Sequence, residues 1–426
     1  MNVEARDSAF PPSVQPGIPR LGRLPEGWIK APLSRFLREV RRPLKMGNDT
    51  EYRLVTVKRS RGGVVERSVT AGRDISVKSQ FYVRSGDFLI SKRQIVHGAC
   101  GLVPESLDGS IVSNEYSVLN GNGEIDLRFL SYLSHSRFFQ QTCFHSSIGV
   151  HVEKMIFKLD RWLSWDFHLP PLAEQQKIAE ILSTWDKAIQ TTEALLANAR
   201  TQKRALMQSL LTGTRRFPGF EDHPWREVRL GDLGRCIRGV SYKPDQALPQ
   251  ETPEAIRLYR ATNIQMGEIV ESDLVFVPAE LVTSERILRT GDLAVCMSNG
   301  SKHLVGKSAP FRGTDSCHTV GAFCAIFRPH DILEADFVRS LFQSPKFDDQ
   351  ITTSLAGSSI NNLKNSDIDG MRFSIPSLKD ERLLITQALM TIEDEINRSF
   401  VMLDHLRTEK KSLMQQLLTG KRRVVV

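Results

Sequence analysis

Apolar residues recur with one period in two stretches that lie 207 positions apart. Residues 172–211 contain no glycine and no proline, although the chain holds 28 and 20 of them. Core positions spaced alternately four and three residues apart are apolar at eight of ten places in each stretch. This is the 3.5-residue period of helices that pack lengthwise on each other. The predicted pairing core consists of Ile178, Leu182, Trp185, Ile189, Leu196, Leu206, Leu210, Ile385, Leu389, Ile392, Ile396, Leu403, Leu406, Leu413 and Leu417.

Two polar exceptions fall at matching places in both stretches, Thr192 with Ser399 and Lys203 with Lys410. Both stretches then close on Leu-Leu-Thr-Gly, where the glycine is a typical C-terminal cap. One helix, about 60 Å long at ~1.5 Å per residue, is therefore used twice. Because matched polar positions can set the register, we expect the two helices to pair antiparallel within one chain. The alternative is two independent coiled coils that each dimerise with another copy.

Each long helix follows a segment of about 150 residues in which the same landmarks recur in order. A tryptophan (Trp28 or Trp225) is followed by a Gly-Asp turn before an apolar run (at Asp87 or Asp292), a short helix and a proline-bounded helix entry. The pattern predicts an α+β fold. Two globular heads would be separated by two long antiparallel coiled-coil helices, as an internal repeat with pseudo-two-fold symmetry.

The predicted domain boundaries follow these landmarks. The proline-rich start has no apolar core, so we expect neither a signal peptide nor a folded element there. The domains are a disordered leader (1–23), a first head (24–169), a first helical spacer (170–216), a second head (217–372) and a second helical spacer with a basic tail (373–426).

The net charge of +8 is unevenly distributed along the chain. Residues 35–93 carry 15 basic and 6 acidic side chains, an excess that favours a polyanionic partner over a merely solvated face. The second head carries 17 basic and 21 acidic side chains. If it binds nucleic acid, its basic groups must therefore be gathered on one face.

Catalytic and metal-binding motifs are absent from the sequence. There is no HExxH and no GxSxG, and the segment 300–308 has five residues between its glycines where a P-loop has four. The six cysteines form no CxxC pair, which favours reduced thiols in a cytoplasmic protein. Cys317, His318 and Cys324 come nearest to a metal cluster but supply too few ligands. We therefore expect no catalytic residue and no metal.

Two divergent heads alternating with two near-identical helices resemble the specificity subunit of type I restriction–modification enzymes. The entry Leu169-Pro-Pro-Leu-Ala-Glu-Gln-Gln176 is similar to that family's first conserved helix, and Ile375-Pro-Ser-Leu-Lys-Asp-Glu-Arg382 is a weaker second copy. The resemblance covers residues 24–423. It implies that each head reads one half of a bipartite, asymmetric DNA site, while the helices set the half-site spacing and dock two methyltransferase (modification) subunits.

The same resemblance implies that this chain is non-catalytic within an adenine methyltransferase and restriction endonuclease complex. S-adenosylmethionine, ATP and Mg would be bound by the methyltransferase subunits and the motor-nuclease (restriction) subunits. A coiled-coil adaptor that binds proteins rather than DNA is the alternative from a different class. An enzyme with unrecognised active residues is a third hypothesis.

Base reading requires polar or cationic side chains that reach base edges, with other cations on phosphates. The loops that follow the two Gly-Asp strands are the natural candidates, and solvated loops are the alternative. The predicted DNA-binding residues are Ser91, Lys92, Arg93 and Gln94 with Arg59 and Arg61 on phosphates in the first head, and Ser298, Asn299, Lys302 and His303 with Lys307 on phosphate in the second.

Overall fold

The computed structural model describes residues 17–356 and 361–425. The chain forms two compact units, a first unit of residues 2–193 with 402–426 and a second unit of residues 194–401. The first sixteen residues of the predicted leader lie outside the described residues, and the predicted domain boundaries stay a prediction. In the part of the chain that the structure describes, no helix is long and apolar enough to cross a membrane.

The described residues of the first unit form twelve strands and the helices α1 to α4, of which α4 continues into the second unit. The strands are β1 (Ile29–Pro32), β2 (Leu37–Glu39), β3 (Glu51–Val57), β4 (Val64–Ala71), β5 (Gln80–Tyr82), β6 (Phe88–Ser91), β7 (Cys100–Leu102), β8 (Ile111–Ser113), β9 (Tyr116–Gly121), β10 (Ser147–Ile148), β11 (Ile156–Phe157) and β12 (Asp166–Leu169). The helices are α1 (Leu127–Leu133), α2 (Arg137–His145), α3 (Leu159–Leu163) and α4 (Leu172–Leu211).

In the second unit, outside residues 357–360, the chain forms eleven strands and the helices α5 to α8, of which α8 continues into the first unit. The strands are β13 (Trp225–Arg229), β14 (Gly234–Arg238), β15 (Ala255–Tyr259), β16 (Ile264–Gln265), β17 (Glu268–Ile269), β18 (Val275–Pro278), β19 (Leu293–Cys296), β20 (Ser308–Pro310), β21 (His318–Val320), β22 (Cys324–Pro329) and β23 (Arg372–Pro376). The helices are α5 (Ala335–Phe342), α6 (Pro345–Ala356), α7 (Asn365–Asp369) and α8 (Lys379–Leu417).

The sheets of the two units have matching topologies. In the first unit the order β2-β9-β6-β7 forms one sheet, β4-β3-β8-β5 a second, and β1 pairs with β12. In the second unit the corresponding orders are β14-β22-β19-β20 and β18-β15-β21, and β13 pairs with β23. β3 pairs antiparallel with β4 and parallel with β8, and β15 repeats this with β18 and β21. The predicted α+β class and internal repeat are confirmed.

Each Gly-Asp turn places a buried, ion-paired aspartate at the start of a central strand. The carboxylate of Asp87 accepts the backbone N–H of Arg84 and pairs with Arg42 at 2.7 Å. Asp292 likewise accepts the N–H of Arg289 and pairs with a second-unit arginine, Arg328, at 2.7 Å. Burying an unpaired carboxylate costs free energy, so the conformation that keeps these pairs is favoured. The pairs therefore fix each turn at the start of β6 or β19.

The two long helices pair along the predicted pairing core. All ten periodic positions of each helix are buried or half-buried, and none is exposed. In the first unit, Ile178 and Leu182 of α4 share a core with Leu417 at the end of α8. In the second unit, Leu210 near the end of α4 shares a core with Leu389 of α8. Pairing within one chain is therefore confirmed in each unit, rather than the alternative of two separate coiled coils.

The matched lysines set the register of this pairing. In the second unit Lys203 Nζ lies 3.3 Å from a carboxylate oxygen of Glu393, and in the first unit Lys410 Nζ lies 2.5 Å from Asp186. Asp186 and Glu393 are themselves 207 positions apart. Each lysine interrupts the apolar period because it carries an ion pair between the helices. The polar exceptions are thus part of the repeat.

The same two carboxylates anchor the heads. The Tyr132 hydroxyl of α1 donates to Asp186 at 2.7 Å, and the buried Arg339 guanidinium of α5 donates to Glu393. Tyr132 and Arg339 are also 207 positions apart. Different side chains therefore tie the two heads to corresponding points of the paired helices.

A second tie, which we name the clasp, joins the end of one helix to the start of the other. In the second unit Arg216, just after α4, donates to both carboxylate oxygens of Glu381 at 2.5 and 2.9 Å. Glu381 lies in the first turn of α8 and is only 1% exposed. The guanidinium also lies over the ring of Trp225, 5.5 Å from its centroid, so that the clasp fixes the start of β13 as well.

The clasp recurs in the first unit with the corresponding residues. Arg423, after α8, donates to both oxygens of Glu174 at 2.8 Å and lies 6.0 Å from the ring centroid of Trp28. The indole Nε1 of Trp28 also donates to Glu174, at 3.2 Å. Thus the Glu in each helix-entry motif is a buried anchor for a head tryptophan and for the end of the other helix.

Candidate nucleic-acid interface

The end of β6 and the loop after it carry four of the predicted first-head residues. Ser91 is buried, and its backbone N–H is bonded to the Ala99 carbonyl. The Lys92 ammonium donates to the Asn114 carbonyl at 2.9 Å, and exposed Arg93 donates to both oxygens of Glu115. The turn before β9 therefore fixes this loop. The two are neighbours because β9 pairs antiparallel with β6, with Ser91 opposite Tyr116.

The fold brings the turn between β3 and β4 to the same place. Arg59 donates to the Gln94 side-chain oxygen and to Glu153, both at 2.8 Å. His97 Nε2 lies 3.1 Å from the other oxygen of Glu153. Arg59, Arg93 and Gln94 thus belong to one polar surface, although 35 positions separate Arg59 from Gln94.

Arg61 lies in a different environment from Arg59. Its backbone has a positive φ of 58°, and its Nε donates to the Ser134 carbonyl at 2.8 Å. Burial lowers the pKa of its guanidinium from the ordinary value. The Arg61 guanidinium therefore packs within the first head, against the backbone at Ser134. Its predicted phosphate contact stays a prediction.

The loop after β19 carries the predicted second-head residues. Ser298 forms an isolated bridge with Asn362, and the Asn299 N–H donates to the Asn361 carbonyl at 3.3 Å. Ser298 and Asn299 also line an open cavity of about 520 Å³ together with Tyr242. Two predicted base-contacting residues therefore lie in the wall of a concave surface.

The remaining second-head candidates differ in exposure. Lys302 and His303 lie on a short 3₁₀ turn and are both exposed. The Lys307 ammonium instead donates to the Ile264 carbonyl at 2.8 Å and is half-buried. Lys302 and His303 are accessible to a ligand from solution, whereas Lys307 ties the loop to the backbone at Ile264.

This surface also contains residues that the sequence pattern does not identify. Phe323 is 69% exposed at the turn before β22 and lines the cavity, as do Arg260 and Thr262. Arg238 donates to the Ala322 and Leu363 carbonyls, each at 2.9 Å, and thereby joins two loops. A single exposed phenylalanine between an alanine and a cysteine carries no periodic signal, so the pattern could not have identified it.

The two heads use one arrangement for these loops. In the first head the Lys92 N–H donates to the Glu115 carbonyl at 2.9 Å, and in the second the Ser298 N–H donates to the Phe323 carbonyl at 3.1 Å. Each loop after the central strand is thus held by the turn that enters the strand paired with it. Glu115 and Phe323 occupy matching positions with different chemistry, so the heads present different surfaces from the same frame.

The cations of the first surface are paired and exposed. Arg59 with Glu153 and Arg93 with Glu115 are both about half-exposed pairs, at 2.8 and 2.5 Å. Such exposed pairs contribute little to stability, at most ~1 kcal/mol, so they can open when a phosphate or a base edge replaces the carboxylate. The pairs orient the guanidinium groups before a ligand arrives.

Comparisons with known proteins agree with this architecture. Residues 48–199 match the family model of the type I restriction modification DNA specificity domain. The StySPI specificity subunit of Salmonella potsdam is 32% identical over 196 residues, and the EcoKI specificity subunit of Escherichia coli K12 is 33% identical over 196 residues. Each alignment covers 46% of this chain and 42% of the relative, so the chain spans less than half the length of these relatives.

Solved structures extend the likeness to almost the whole chain at the level of the fold. The S subunit of a type I restriction-modification system from M. genitalium has a TM-score of 0.60 at 13% identity, covering 95% of this chain and 98% of that one. The HsdS subunit from Thermoanaerobacter tengcongensis has a TM-score of 0.50 at 19% identity, covering 94% and 99%. The predicted resemblance to type I restriction–modification specificity subunits is confirmed.

Proposed function

We propose that this chain is the non-catalytic DNA sequence-specificity subunit of a type I restriction–modification complex, each head reading one half of a bipartite, asymmetric site. The proposal is supported mainly by the structural repeat, in which the two heads place their loops and their helix contacts at corresponding positions. Two heads of different sequence present loops from the same position, and corresponding carboxylates tie each head to the paired helices. Because the reading side chains differ between the heads, the two half-sites differ.

The length of the paired helices supports a spacer role. A helix of 40 residues, as in α4, is about 60 Å long, and one turn of B-DNA is about 34 Å. A spacer of this length can hold two half-sites more than one turn apart. Ion pairs at matched positions fix the register of the helices and therefore the spacing.

Docking of two methyltransferase subunits on the helices is supported by exposed apolar side chains. Phe400 and Val401 on α8 and Leu195 on α4 are each at least 50% exposed in the second unit. Phe400 and Val401 are neighbours on α8, and neighbouring large apolar side chains that are exposed are typical of protein–protein contacts. In this proposal the docked subunits and the motor-nuclease subunits carry S-adenosylmethionine, ATP and Mg, together with the methylation and cleavage chemistry.

The salt dependence of DNA binding tests the proposal against the coiled-coil adaptor. The dissociation constant of the purified full chain for random duplex DNA is expected to rise at least about a hundredfold between 50 and 200 mM salt, because cations on phosphates release counterions. Arg59→Gln should lower the slope of this dependence by about one contact, since Arg59 is exposed on the candidate surface.

The matched control is Arg407→Gln, an equally exposed arginine that is paired with Glu193 between the helices. It should leave the slope unchanged. Binding that is absent at low salt, or that does not respond to salt, would favour the adaptor.

A further inference from the structure

A group of three different metal-ligating side chains lies in the second head, and none of the three is among the predicted DNA-binding residues. Asp315, Cys317 and His318 place their ligand atoms within 4.8 Å of one another where β21 begins. The Cys317 Sγ lies 2.7 Å from one carboxylate oxygen of Asp315, and His318 Nδ1 lies 3.0 Å from the other. The Cys317 Sγ and His318 Nδ1 are 3.7 Å apart.

We propose that Asp315, Cys317 and His318 bind one zinc ion. Zinc takes sulfur, nitrogen and oxygen ligands at about 2.0–2.3 Å in tetrahedral geometry, which places two ligand atoms roughly 3.3–3.7 Å apart. The thiol–imidazole separation of 3.7 Å is already in this range. The imidazole–carboxylate separation of 3.0 Å has to open by about 0.3 Å, and the thiol–carboxylate separation of 2.7 Å by at least about 0.6 Å. The fourth position is open to water, because Asp315 is exposed.

The surroundings of His318 hold its ring in place and bring a carboxylate near its outer nitrogen. His318 is buried, its ring stacks on Tyr259 at 5.4 Å, and its Nε2 lies 3.8 Å from the Glu271 carboxylate. The Tyr259 hydroxyl donates to the same carboxylate at 2.9 Å. A carboxylate that accepts the outer N–H of a zinc-bound histidine fixes the ring, and Glu271 has to approach Nε2 from 3.8 Å to make this hydrogen bond.

The local charge favours a cation. The carboxylates of Glu251 and Glu271 lie near the group, and Asp315 within it is a third. Among the described neighbours Arg257 supplies one positive charge, 3.5 Å from Asp315 and 3.9 Å from the Cys317 Sγ. Arg257 is held by Glu251 at 2.5 Å and also lies 3.3 Å from His318 Nε2. When zinc binds, the Cys317 thiol releases its proton to solvent and the imidazole proton moves from Nδ1 to Nε2. The Arg257 guanidinium nitrogen, 3.3 Å from Nε2, then has to turn away from it, because both groups are donors. Arg257 then remains with Glu251.

The sequence could not reveal this group. The cysteine–histidine pair at 317–318 invites a search for another cysteine, yet Cys324 is not a member. The third ligand is an aspartate in an exposed loop, which looks like any other acidic residue. The expectation that the chain binds no metal is therefore replaced by this proposal, which does not depend on DNA binding.

Titration of the metal-stripped full-length chain with Co²⁺, in the absence of DNA, tests the site. We expect one equivalent to bind with a thiolate-to-cobalt charge-transfer absorption that Zn²⁺ abolishes, because Zn²⁺ binds the same ligands more tightly. Cys317→Ser should remove this absorption and the uptake of one equivalent. Cys236→Ser, which replaces a buried cysteine of the same unit outside the group, should retain both.

Asp315→Asn provides a variant at an exposed position, where a loss of folding is not expected. It should weaken Zn²⁺ binding at least about tenfold, as loss of a ligand does, while its far-ultraviolet circular dichroism stays that of the parent chain. Stoichiometric binding that is unchanged in Cys317→Ser, or no binding by the parent chain, would overturn the proposal.

Discussion

Replacing Glu381 by alanine is expected to lower the free energy of unfolding of the second unit by about 3 kcal/mol, because it leaves the guanidinium of Arg216 without its buried partner. Glu381 is 1% exposed and accepts two hydrogen bonds from Arg216. Urea unfolding followed by tryptophan fluorescence measures the loss. Arg216 lies over Trp225, so the emission of Trp225 reports on the clasp itself.

The control for this prediction is Glu227→Ala. Glu227 also pairs with an arginine of the second unit, Arg372 at 3.4 Å, but both side chains are exposed. Removing it should change stability by no more than ~0.5 kcal/mol, as is usual for an exposed pair. Equal and small losses in the two variants would show that the clasp does not hold the head to the helices.

Replacing Asn299 by alanine is expected to relax one half of the recognised DNA site and to leave the other half unchanged. Asn299 lies in the cavity wall of the second head, where an amide can pair with an adenine edge. Losing one such contact costs about 1–3 kcal/mol, which is roughly 5- to 150-fold in discrimination at that base. Sequencing of methylated adenines in cells that express the variant with its methyltransferase subunit measures the change.

The paired variant is Arg93→Ala, on the corresponding loop of the first head. It should relax the opposite half-site. If either substitution alters both halves together, or alters neither, the division of reading between the heads is wrong.

The helices and the repeat could be predicted from the sequence because their signals are local and periodic. A 3.5-residue period over forty residues has few other structural solutions, and all of its predicted positions are buried or half-buried. The short helix among the recurring landmarks corresponds to α1 in the first head. Asp126 caps it by accepting the N–H groups of Arg128 and Phe129, as an N-terminal aspartate does.

The partners of polar side chains could not be predicted in the same way. Tyr132 and Arg339 carry the same structural role with unlike chemistry, so that no motif connects them. Arg59 and Arg61 look equivalent in the sequence, but a left-handed backbone turn directs only Arg61 toward the Ser134 carbonyl. Long-range contacts of this kind depend on the folded backbone, because the spacing in the chain does not define them.

The most direct test of the central claim is a genome-wide map of methylated adenines in a host that carries this chain with its methyltransferase subunit. The proposal predicts one bipartite motif with two different half-sites, separated by a fixed unspecified spacer. A continuous or palindromic motif, or no methylation that depends on this chain, would contradict the account of two unlike reading heads on one pair of helices.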